Sequence, residues 1–163
     1  MNIIFLDIDG VLNTLHFFQH SCKTQQGIYK EIDVNRVLLL QKIVKDNDAK
    51  IVLSSTWRAL EHGAGKAHYQ QLIELFKQYD LEIFSKTPII NYNRPTEIKA
   101  WLAQYKNIED VYWITIDDDF SDDQYSEHGI GGHLLKTSFY DKNGGLQPEH
   151  IEVANILFKQ QNI

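Results

Sequence analysis

Two short apolar segments of this chain run directly into clusters of aspartate, and this pattern constrains the fold more than any other feature. The first segment is NIIFL at residues 2–6, and the second is VYWITI at residues 111–116. Short, continuous apolar runs that stop abruptly are typical of strands buried on both faces, which occur in parallel sheets covered by helices. The sequence therefore predicts a parallel sheet with acidic groups at the ends of two of its strands.

Further apolar segments complete an alternating pattern of strands and helices. Shorter apolar runs predict strands at residues 50–53, 81–84 and 133–137. Apolar side chains at helical spacing predict helices at residues 34–44, 68–79 and 96–105 and from residue 148 onward. Residues 13–33 are predicted to form a loop or small hairpin, residues 57–65 a loop or frayed helix start, and residues 86–95 an irregular connection. This order predicts an α/β fold, a Rossmann-like parallel sheet of about five strands with helices on both faces.

Two of the predicted helices have clear N-terminal signals. Asp33 and Thr96 are short polar residues directly before an apolar periodic segment, so each is a predicted N-cap. In the first helix, the spacing predicts an inward face that consists of Val34, Val37, Leu38, Gln41 and Val44.

Length, charge and cysteine content limit the class of protein. A chain of 163 residues fits one domain, here residues 1–163. The formal charge of −6 argues against broad, nonspecific binding to nucleic acid or anionic membranes. The single cysteine, Cys22, excludes an internal disulfide and favours a reducing compartment. With no signal peptide pattern and no apolar segment near the ~20 residues that span a bilayer, we expect a soluble, cytoplasmic protein without membrane partners.

Polar side chains follow the first, second and fourth predicted strands, at the point where each strand ends. They are Asp7, Asp9, Ser54, Ser55, Asp117 and Asp118. Parallel sheets bind ligands beyond the carboxyl ends of their strands, so these groups are expected to converge. Several carboxylates in one crevice repel one another unless a cation lies between them, and oxygen ligands alone suit Mg²⁺. The sequence therefore predicts a Mg²⁺ site at this edge of the sheet.

Three motifs resemble those of the haloacid dehalogenase superfamily. FLDIDGVLN resembles its first motif, in which a strand delivers DxDG. IVLSS resembles its second motif, a strand that ends in Ser or Thr, and WITIDD resembles its fourth, a strand that ends in paired acids. The motifs occur in the order and at the spacing of that superfamily. The resemblance implies a phosphatase, because members that cleave carbon–halogen bonds lack the second acid, Asp9.

The resemblance assigns roles to the residues around the first motif. Asp7 would attack phosphorus and form an aspartyl-phosphate intermediate, a form of covalent catalysis by a carboxylate. Asp9 would protonate the leaving oxygen and later deprotonate water. Gly10 would let the chain turn sharply beside the nucleophile.

The remaining motifs imply the metal and phosphate ligands. The Asp7 carboxylate and the Asp9 backbone carbonyl would hold Mg²⁺ together with Asp118 or Asp117, of which Asp118 is the preferred direct ligand. Ser54 would donate a hydrogen bond to the phosphoryl group, with Ser55 as the alternative.

The third motif of the superfamily is a basic residue near the start of the helix before the fourth strand. Three residues are candidates. Arg94 precedes the predicted cap in NRPTEIKAWL and is preferred, with Lys86 and Lys99 as alternatives.

Residues beside the motifs have both a functional and a structural interpretation. Arg58, in SSTWR, would bind a substrate phosphate or lie exposed on the surface. Trp57 would stack on a base or sugar, although packing beside a buried strand is the preferred interpretation. Three further acids follow the fourth motif, namely Asp119, Asp122 and Asp123. One of them would position a metal-bound water, although a solvated acidic loop is the preferred interpretation for each.

The spacing between motifs also bears on the substrate. About 40 residues separate the first and second motifs, which leaves no room for the separate cap domain of many superfamily members. By resemblance, an uncapped site suits a bulky phosphorylated substrate, such as a nucleic-acid end or a phosphoprotein. Small bacterial and phage members, some linked to polynucleotide end repair, are similar in layout.

The leading hypothesis is thus a hydrolase of phosphate monoesters, a Mg²⁺-dependent phosphatase. One alternative is a noncatalytic module that binds Mg²⁺ or phosphate for docking or regulation. Another is a receiver-like switch that keeps a phosphate on Asp7, against which Asp9 argues because it supplies a base for hydrolysis.

Overall fold

Five parallel strands form a single sheet at the centre of the protein. The computed structural model describes residues 1–21, 30–105 and 110–161. The strands are β1 (Asn2–Leu6), β2 (Ala49–Leu53), β3 (Ile83–Lys86), β4 (Tyr112–Asp117) and β5 (Leu134–Lys136). Their order across the sheet is β3-β2-β1-β4-β5, with every neighbouring pair parallel.

Helices connect the strands and cover both faces of the sheet. They are α1 (Leu15–His20), α2 (Val34–Asp46), α3 (Lys66–Gln78), α4 (Arg94–Ala103), α5 (Asp122–Glu127) and α6 (Glu149–Gln161), with a 3₁₀ helix at Thr56–Glu61. This architecture confirms the predicted α/β fold with a Rossmann-like parallel sheet of five strands. Within the described part of the chain, no helix has the length and apolar composition required to cross a bilayer.

The register of the sheet aligns the strand ends that carry the polar motifs. Leu6 of β1 lies opposite Leu53 of β2 and Ile116 of β4. The ladder continues for one bond on each side, because the Asp7 amide donates to the Ile116 carbonyl and the Ser54 amide donates to the Leu6 carbonyl. The residues that follow these three strands therefore begin at the same level of the sheet.

The alternation of side chains along β1 divides the core into two parts. Ile4 and Leu6 belong to the larger cluster, which packs against α2, α3 and α6. Ile3 and Phe5 point to the opposite face and belong to the smaller cluster with residues of α4 and α5. Both faces of β1 are buried, which explains its unbroken apolar sequence.

Aromatic rings dominate the smaller cluster. Phe5 makes edge-to-face contacts with Trp101 and Trp113, at ring-centroid distances of 5.2 and 5.6 Å. Trp101 also stacks on Tyr105 and donates its indole N–H to the Ser85 hydroxyl. These contacts fix α4, the helix that begins at Arg94, against the sheet.

Three short helices lie in segments that were predicted as loops or, for residues 57–65, as a loop or frayed helix start. α1 lies within the segment predicted as a loop or small hairpin, where the Thr14 hydroxyl caps it; Cys22 of the same segment lies outside the described residues. The 3₁₀ helix follows β2 and is capped by Ser55. α5 was not predicted, although Ser121 and Gln124 form a capping box before it. Each has only six residues, too few for a helical period to show in sequence.

Some predicted details were wrong. Asn93, rather than Thr96, caps α4, because the Asn93 side chain accepts from the Thr96 amide. β3 begins two residues later than predicted. The inward face of α2 consists of Val37, Leu40 and Ile43, whereas Leu38 is 44% exposed. The predicted stripe of α2 was rotated because apolar residues surround this helix on several sides.

We predict that Phe5→Ala destabilises the protein by about 3–5 kcal/mol, since it removes a fully buried ring that two tryptophans contact. Leu38→Ala is the control, with an expected loss below about 1 kcal/mol because the side chain is largely exposed. Urea denaturation followed by circular dichroism measures both values. Equal losses for the two variants would contradict this account of the core.

Candidate active site

Asp7 lies directly after β1, at the carboxyl end of the strand. Its side chain is buried, and the Oδ1 atom accepts a hydrogen bond of 2.8 Å from the Ile8 amide. The Oδ2 atom accepts from Nη1 of Arg94 at 2.6 Å. Burial raises the pKa of Asp7, the Arg94 charge lowers it, and the neighbouring Asp117 carboxylate raises it again, with a net increase. Arg94 is therefore the group that opposes protonation of this carboxyl most strongly.

Arg94 connects two buried carboxylates. It is the first residue of α4, and its Nη1 atom also donates to Oδ2 of Asp117 at 2.5 Å. Burial lowers the pKa of Arg94, but the Asp7 and Asp117 charges outweigh burial and raise the pKa above its usual value. The guanidinium lies 5.6 Å from the Phe120 ring centroid. Arg94 is thus a permanent positive charge within the acidic cluster.

The other two basic candidates for the third motif lie elsewhere. Lys86 pairs with Glu61 and lies 4.6 Å from the centroid of the Tyr69 ring. Lys99 is exposed and donates to the His128 carbonyl at 2.9 Å. Among the three candidates, the structure brings only Arg94 into contact with Asp7.

Asp117 is fully buried and surrounded by donors. Its Oδ1 atom accepts from the amides of Asp119 and Phe120, at 2.7 and 3.2 Å. Its Oδ2 atom accepts from the Tyr125 hydroxyl at 3.0 Å, in addition to Arg94. Burial and the Asp117 charge raise the pKa of Tyr125, so this hydroxyl remains a donor. The network fixes Asp117 behind the site.

Asp118 is half-buried and faces a cavity that Asp7 also lines. Burial, followed by the charges of Asp7 and Asp117, raises the pKa of Asp118 to about 7. Asp7, Asp117 and Asp118 each place an oxygen within 4.8 Å of the other two. Arg94 offsets only part of this negative charge. The donor set of closely spaced carboxylate oxygens fits a hard divalent cation such as Mg²⁺.

Gly10 allows Asp118 to reach this position. Its φ angle is +72°, and a Cβ atom at Gly10 would lie 2.1 Å from Cγ of Asp118. Any other residue would therefore be strained and would displace the carboxylate. The turn predicted at Gly10 is confirmed, and the close approach to Asp118 is an additional reason for glycine.

Asp9 is exposed, and two donors hold its carboxylate. Nδ2 of Asn13 donates to Oδ1 at 2.8 Å, and the indole N–H of Trp57 donates to Oδ2 at 2.9 Å. Asn13 is itself fixed, because its side chain accepts from the Gly10 amide and donates to the Glu31 carbonyl. Trp57 is buried, as expected for packing, but its contact with Asp9 was not predicted. Asn13 belongs to the first motif, FLDIDGVLN, which was the signal available in sequence.

The two serines after β2 have different environments. A hydrogen bond from Ser55 lowers the pKa of Asp7, so the Ser55 hydroxyl lies beside the nucleophile candidate. The Ser55 hydroxyl also accepts from the Trp57 amide at 3.3 Å. The Ser54 hydroxyl is fully buried and has no hydrogen-bond partner among the described residues. The geometry favours the alternative, Ser55, over Ser54.

Arg58 is buried, which rules out the exposed surface position that the sequence left open beside phosphate binding. Its Nη2 atom donates to Oε2 of Glu97 at 2.6 Å, and its Nη1 atom donates to the carbonyls of Ser54 and Ser55. Glu97 also accepts from the Ile90 amide at 2.8 Å. These contacts engage the guanidinium without a substrate phosphate. Arg58 and Glu97 therefore connect the segment that contains Ser54 and Ser55 to α4, the helix that begins at Arg94.

Asp117 is fully buried, but Asp7 and Asp118 line an open cavity of about 360 Å³. Its lining consists of Asp7, Asp9, Phe18, Thr56, Arg94, Asp118, Asp119, Phe139 and Tyr140. Of the further acids in the sequence, Asp119 reaches this cavity, whereas Asp122 lies in α5 and accepts from the Gly132 amide. Asp123 also lies in α5, in a helix rather than the expected loop.

We predict that Glu97→Ala lowers the free energy of unfolding by about 3–5 kcal/mol, because it leaves the buried Arg58 charge without its partner. The control is Asp46→Ala, which removes the exposed pair with Lys42 and should cost less than about 1 kcal/mol. Urea titrations of both variants test the difference. A Glu97→Ala loss as small as that of the control would show that Arg58 is not held by this pair.

The sequence of the chain was compared with models of known protein families. A family model described as the HAD domain in Swiss Army Knife RNA repair proteins matches residues 3–151. The match covers most of the chain and includes the acidic cluster, both serines and Arg94. No curated protein matches the chain. A HAD domain of this family indicates a phosphatase-like hydrolase, with which the three clustered aspartates are compatible. The chain therefore belongs to the haloacid dehalogenase (HAD) superfamily, in the family of HAD domains of Swiss Army Knife RNA repair proteins.

Proposed function

We propose that the protein is a Mg²⁺-dependent phosphatase that hydrolyses phosphate monoesters through an aspartyl-phosphate on Asp7. The observation that carries this proposal is the contact of Arg94 with Asp7, beside Asp118, in the open cavity. A nucleophilic carboxylate attacks in its ionised form, and the adjacent guanidinium lowers the pKa of Asp7 against the opposing effect of burial.

Two proton transfers at Asp9 accompany the two chemical steps. In the first step, an Asp7 oxygen bonds to phosphorus, the bond from phosphorus to the leaving oxygen breaks, and that oxygen takes a proton from Asp9. In the second step, Asp9 takes a proton from water, the water oxygen bonds to phosphorus, and the bond to Asp7 breaks. The hydrogen bonds from Asn13 and Trp57 hold Asp9 in one orientation for both transfers.

The remaining residues of the site bind and orient the phosphoryl group. Asp7, the Asp9 backbone carbonyl and Asp118 would hold Mg²⁺, while Asp117 fixes Arg94 from behind. Bound Mg²⁺ supplies positive charge next to the phosphoryl oxygens. The Ser55 hydroxyl, with Ser54 as the alternative, would donate to one of those oxygens.

We further propose that residues 1–163 act as a single HAD-like domain without a cap and take a nucleic-acid end as substrate. The exposed Asp9 and Asp119 carboxylates at the mouth of the cavity support an uncapped site. The RNA repair proteins in which this domain family is described favour a nucleic-acid end over a phosphoprotein. The docking module, which the absence of a third-motif base would favour, is less favoured because Arg94 contacts Asp7.

The proposed mechanism predicts that phosphatase activity requires both Asp7 and a divalent metal ion. We expect Mg²⁺-dependent release of phosphate from p-nitrophenyl phosphate, abolished by EDTA and lowered by at least about 10³-fold in Asp7→Asn. Asp46→Asn is the matched control, since Asp46 is an aspartate far from the cavity. A phosphoryl adduct on Asp7, detected by mass spectrometry after acid quenching, would identify the intermediate. Full activity of Asp7→Asn, or activity in EDTA, would refute the mechanism.

Gly10 offers a second test, which separates metal binding from backbone strain. Gly10→Ala should weaken Mg²⁺ binding by at least about tenfold, because the new Cβ displaces the Asp118 carboxylate that would bind the metal. Gly129→Ala is the control, since Gly129 has the same φ of +72° but no atom near its Cβ position. Isothermal titration with Mg²⁺ measures both affinities. A comparable loss of affinity in the two variants would attribute the effect to backbone strain.

A further inference from the structure

We propose that an aromatic rim, defined as Phe18, Phe139 and Tyr140, stacks against the base of a terminal nucleoside whose phosphate is hydrolysed. This inference rests on the proposed function, because it assigns a substrate class to the same site. The shared chemistry is a phosphorylated nucleoside, either free or at the end of an oligonucleotide.

The rim and the acidic cluster are two walls of one cavity. All three rings line the 360 Å³ space that Asp7, Asp118 and Arg94 also line. Cavities of about this size hold small ligands. A phosphate beside Asp7 would therefore place the rest of its nucleoside next to the aromatic wall.

Tyr140 has an unusual degree of exposure for a large ring. It is 80% exposed, more than any other large hydrophobic residue in the described ranges. Its centroid lies 5.1 Å from that of Phe139, which in turn lies 6.2 Å from that of Phe18. An exposed aromatic group at the mouth of a functional cavity is a typical stacking platform for a base.

The backbone beneath Tyr140 is held in a tight turn. The Gly145 amide donates to the Ser138 carbonyl at 2.8 Å, and the Gly144 amide donates to the Asp141 carbonyl at 2.9 Å. A Cβ atom at Gly144 would lie 2.2 Å from the Ser138 carbonyl oxygen, so this turn requires glycine there. The Leu15 amide also donates to the Phe139 carbonyl, which joins the turn to α1. The backbone that carries Phe139 and Tyr140 is thus fixed, which lowers the main-chain part of the entropy cost of stacking.

The charges around the cavity favour recognition of one nucleoside over a long strand. Arg94 is the single basic residue among the described residues that line the cavity, and Asp7 and Asp117 already pair with it. The exposed Asp9 and Asp119 add negative charge at the same mouth. Tracking of a polynucleotide backbone requires several Lys or Arg contacts. Stacking on the base does not, so affinity should come mainly from the terminal nucleoside.

A pair of substrates that differ only in the base tests the rim. For adenosine 5′-monophosphate and ribose 5-phosphate, we expect the ratio of kcat/KM values to favour the nucleotide. Tyr140→Ala should lower that ratio by about 5- to 150-fold, the range for loss of one base stack. Tyr140→Phe should retain it. Phe84→Ala, which removes an exposed ring on β3 away from the cavity, should leave the ratio unchanged.

Three further substrates test whether the site prefers a free nucleotide, an oligonucleotide end or a phosphopeptide. Adenosine 3′-monophosphate and an oligonucleotide with a terminal phosphate should react with kcat/KM values within about tenfold of the 5′ nucleotide, because one stacked base carries recognition. A steep gain with oligonucleotide length would overturn the single-nucleoside proposal. A phosphotyrosine peptide preferred over every nucleotide would assign the rim to a phosphoprotein and overturn it as well.

Failure of the rim and failure of the phosphatase proposal can be distinguished. If Asp7-dependent turnover occurs but ribose 5-phosphate reacts as well as the nucleotide, the rim is refuted and the function stands. If no substrate turns over, titration of the protein with adenosine 5′-monophosphate still tests the rim. Binding tighter than that of ribose 5-phosphate, and weakened in Tyr140→Ala, would support the rim even then, whereas equal binding would refute it.

Discussion

The placement of one guanidinium between two buried carboxylates organises the site. Arg94 bonds to Asp7 at the end of β1 and to Asp117 at the end of β4, so its charge spans two neighbouring strands. Burial raises the pKa of Asp7, and the Arg94 guanidinium is the strongest influence that lowers it. The Asn93 cap and the buried Glu97–Arg58 pair in turn fix α4, which carries Arg94. The helix cap, the buried ion pair and the two carboxylates thus all help to hold Arg94 in place.

The sheet supplies the precision that such an arrangement requires. β1 pairs with β2 and β4 without a register shift, so Asp7, Ser54 and Asp117 begin beyond the same edge. The turn at Gly10 then returns the chain towards Asp118, and Asn13 and Trp57 hold Asp9 to one side. Groups on rigid elements keep their geometry better than groups on free loops. A hydrolase that neutralises charge on a phosphoryl group depends on this rigidity.

The sequence was most informative where function and local pattern coincide. The strands before Asp7 and Asp117 were predicted because an apolar run and an acidic stop lie next to each other. Pairs between distant residues were harder to predict. Arg94, 87 residues from Asp7, was the preferred one of three candidates, and the pairing of Arg58 with Glu97, 39 residues away, was not predicted. Nothing local distinguishes a buried, paired Arg58 from an exposed one. The same holds for the Trp57 indole, whose contact with Asp9 depends on how the 3₁₀ helix folds over the first motif.

In this cavity, the charged residues and the aromatic residues would have different tasks: the charged residues would act on the phosphoryl group, and the aromatic residues would recognise the rest of the substrate. Arg94 and a cation that the acidic wall would hold can offset the charge of the phosphoryl group of any ester, so this wall offers little discrimination between alcohols. Discrimination must come from the other wall, and there the exposed surface is aromatic rather than basic. An excess of carboxylates would also repel further phosphates along a strand. The site is therefore better matched to a single terminal phosphate beside a flat ring than to a continuous polyanion.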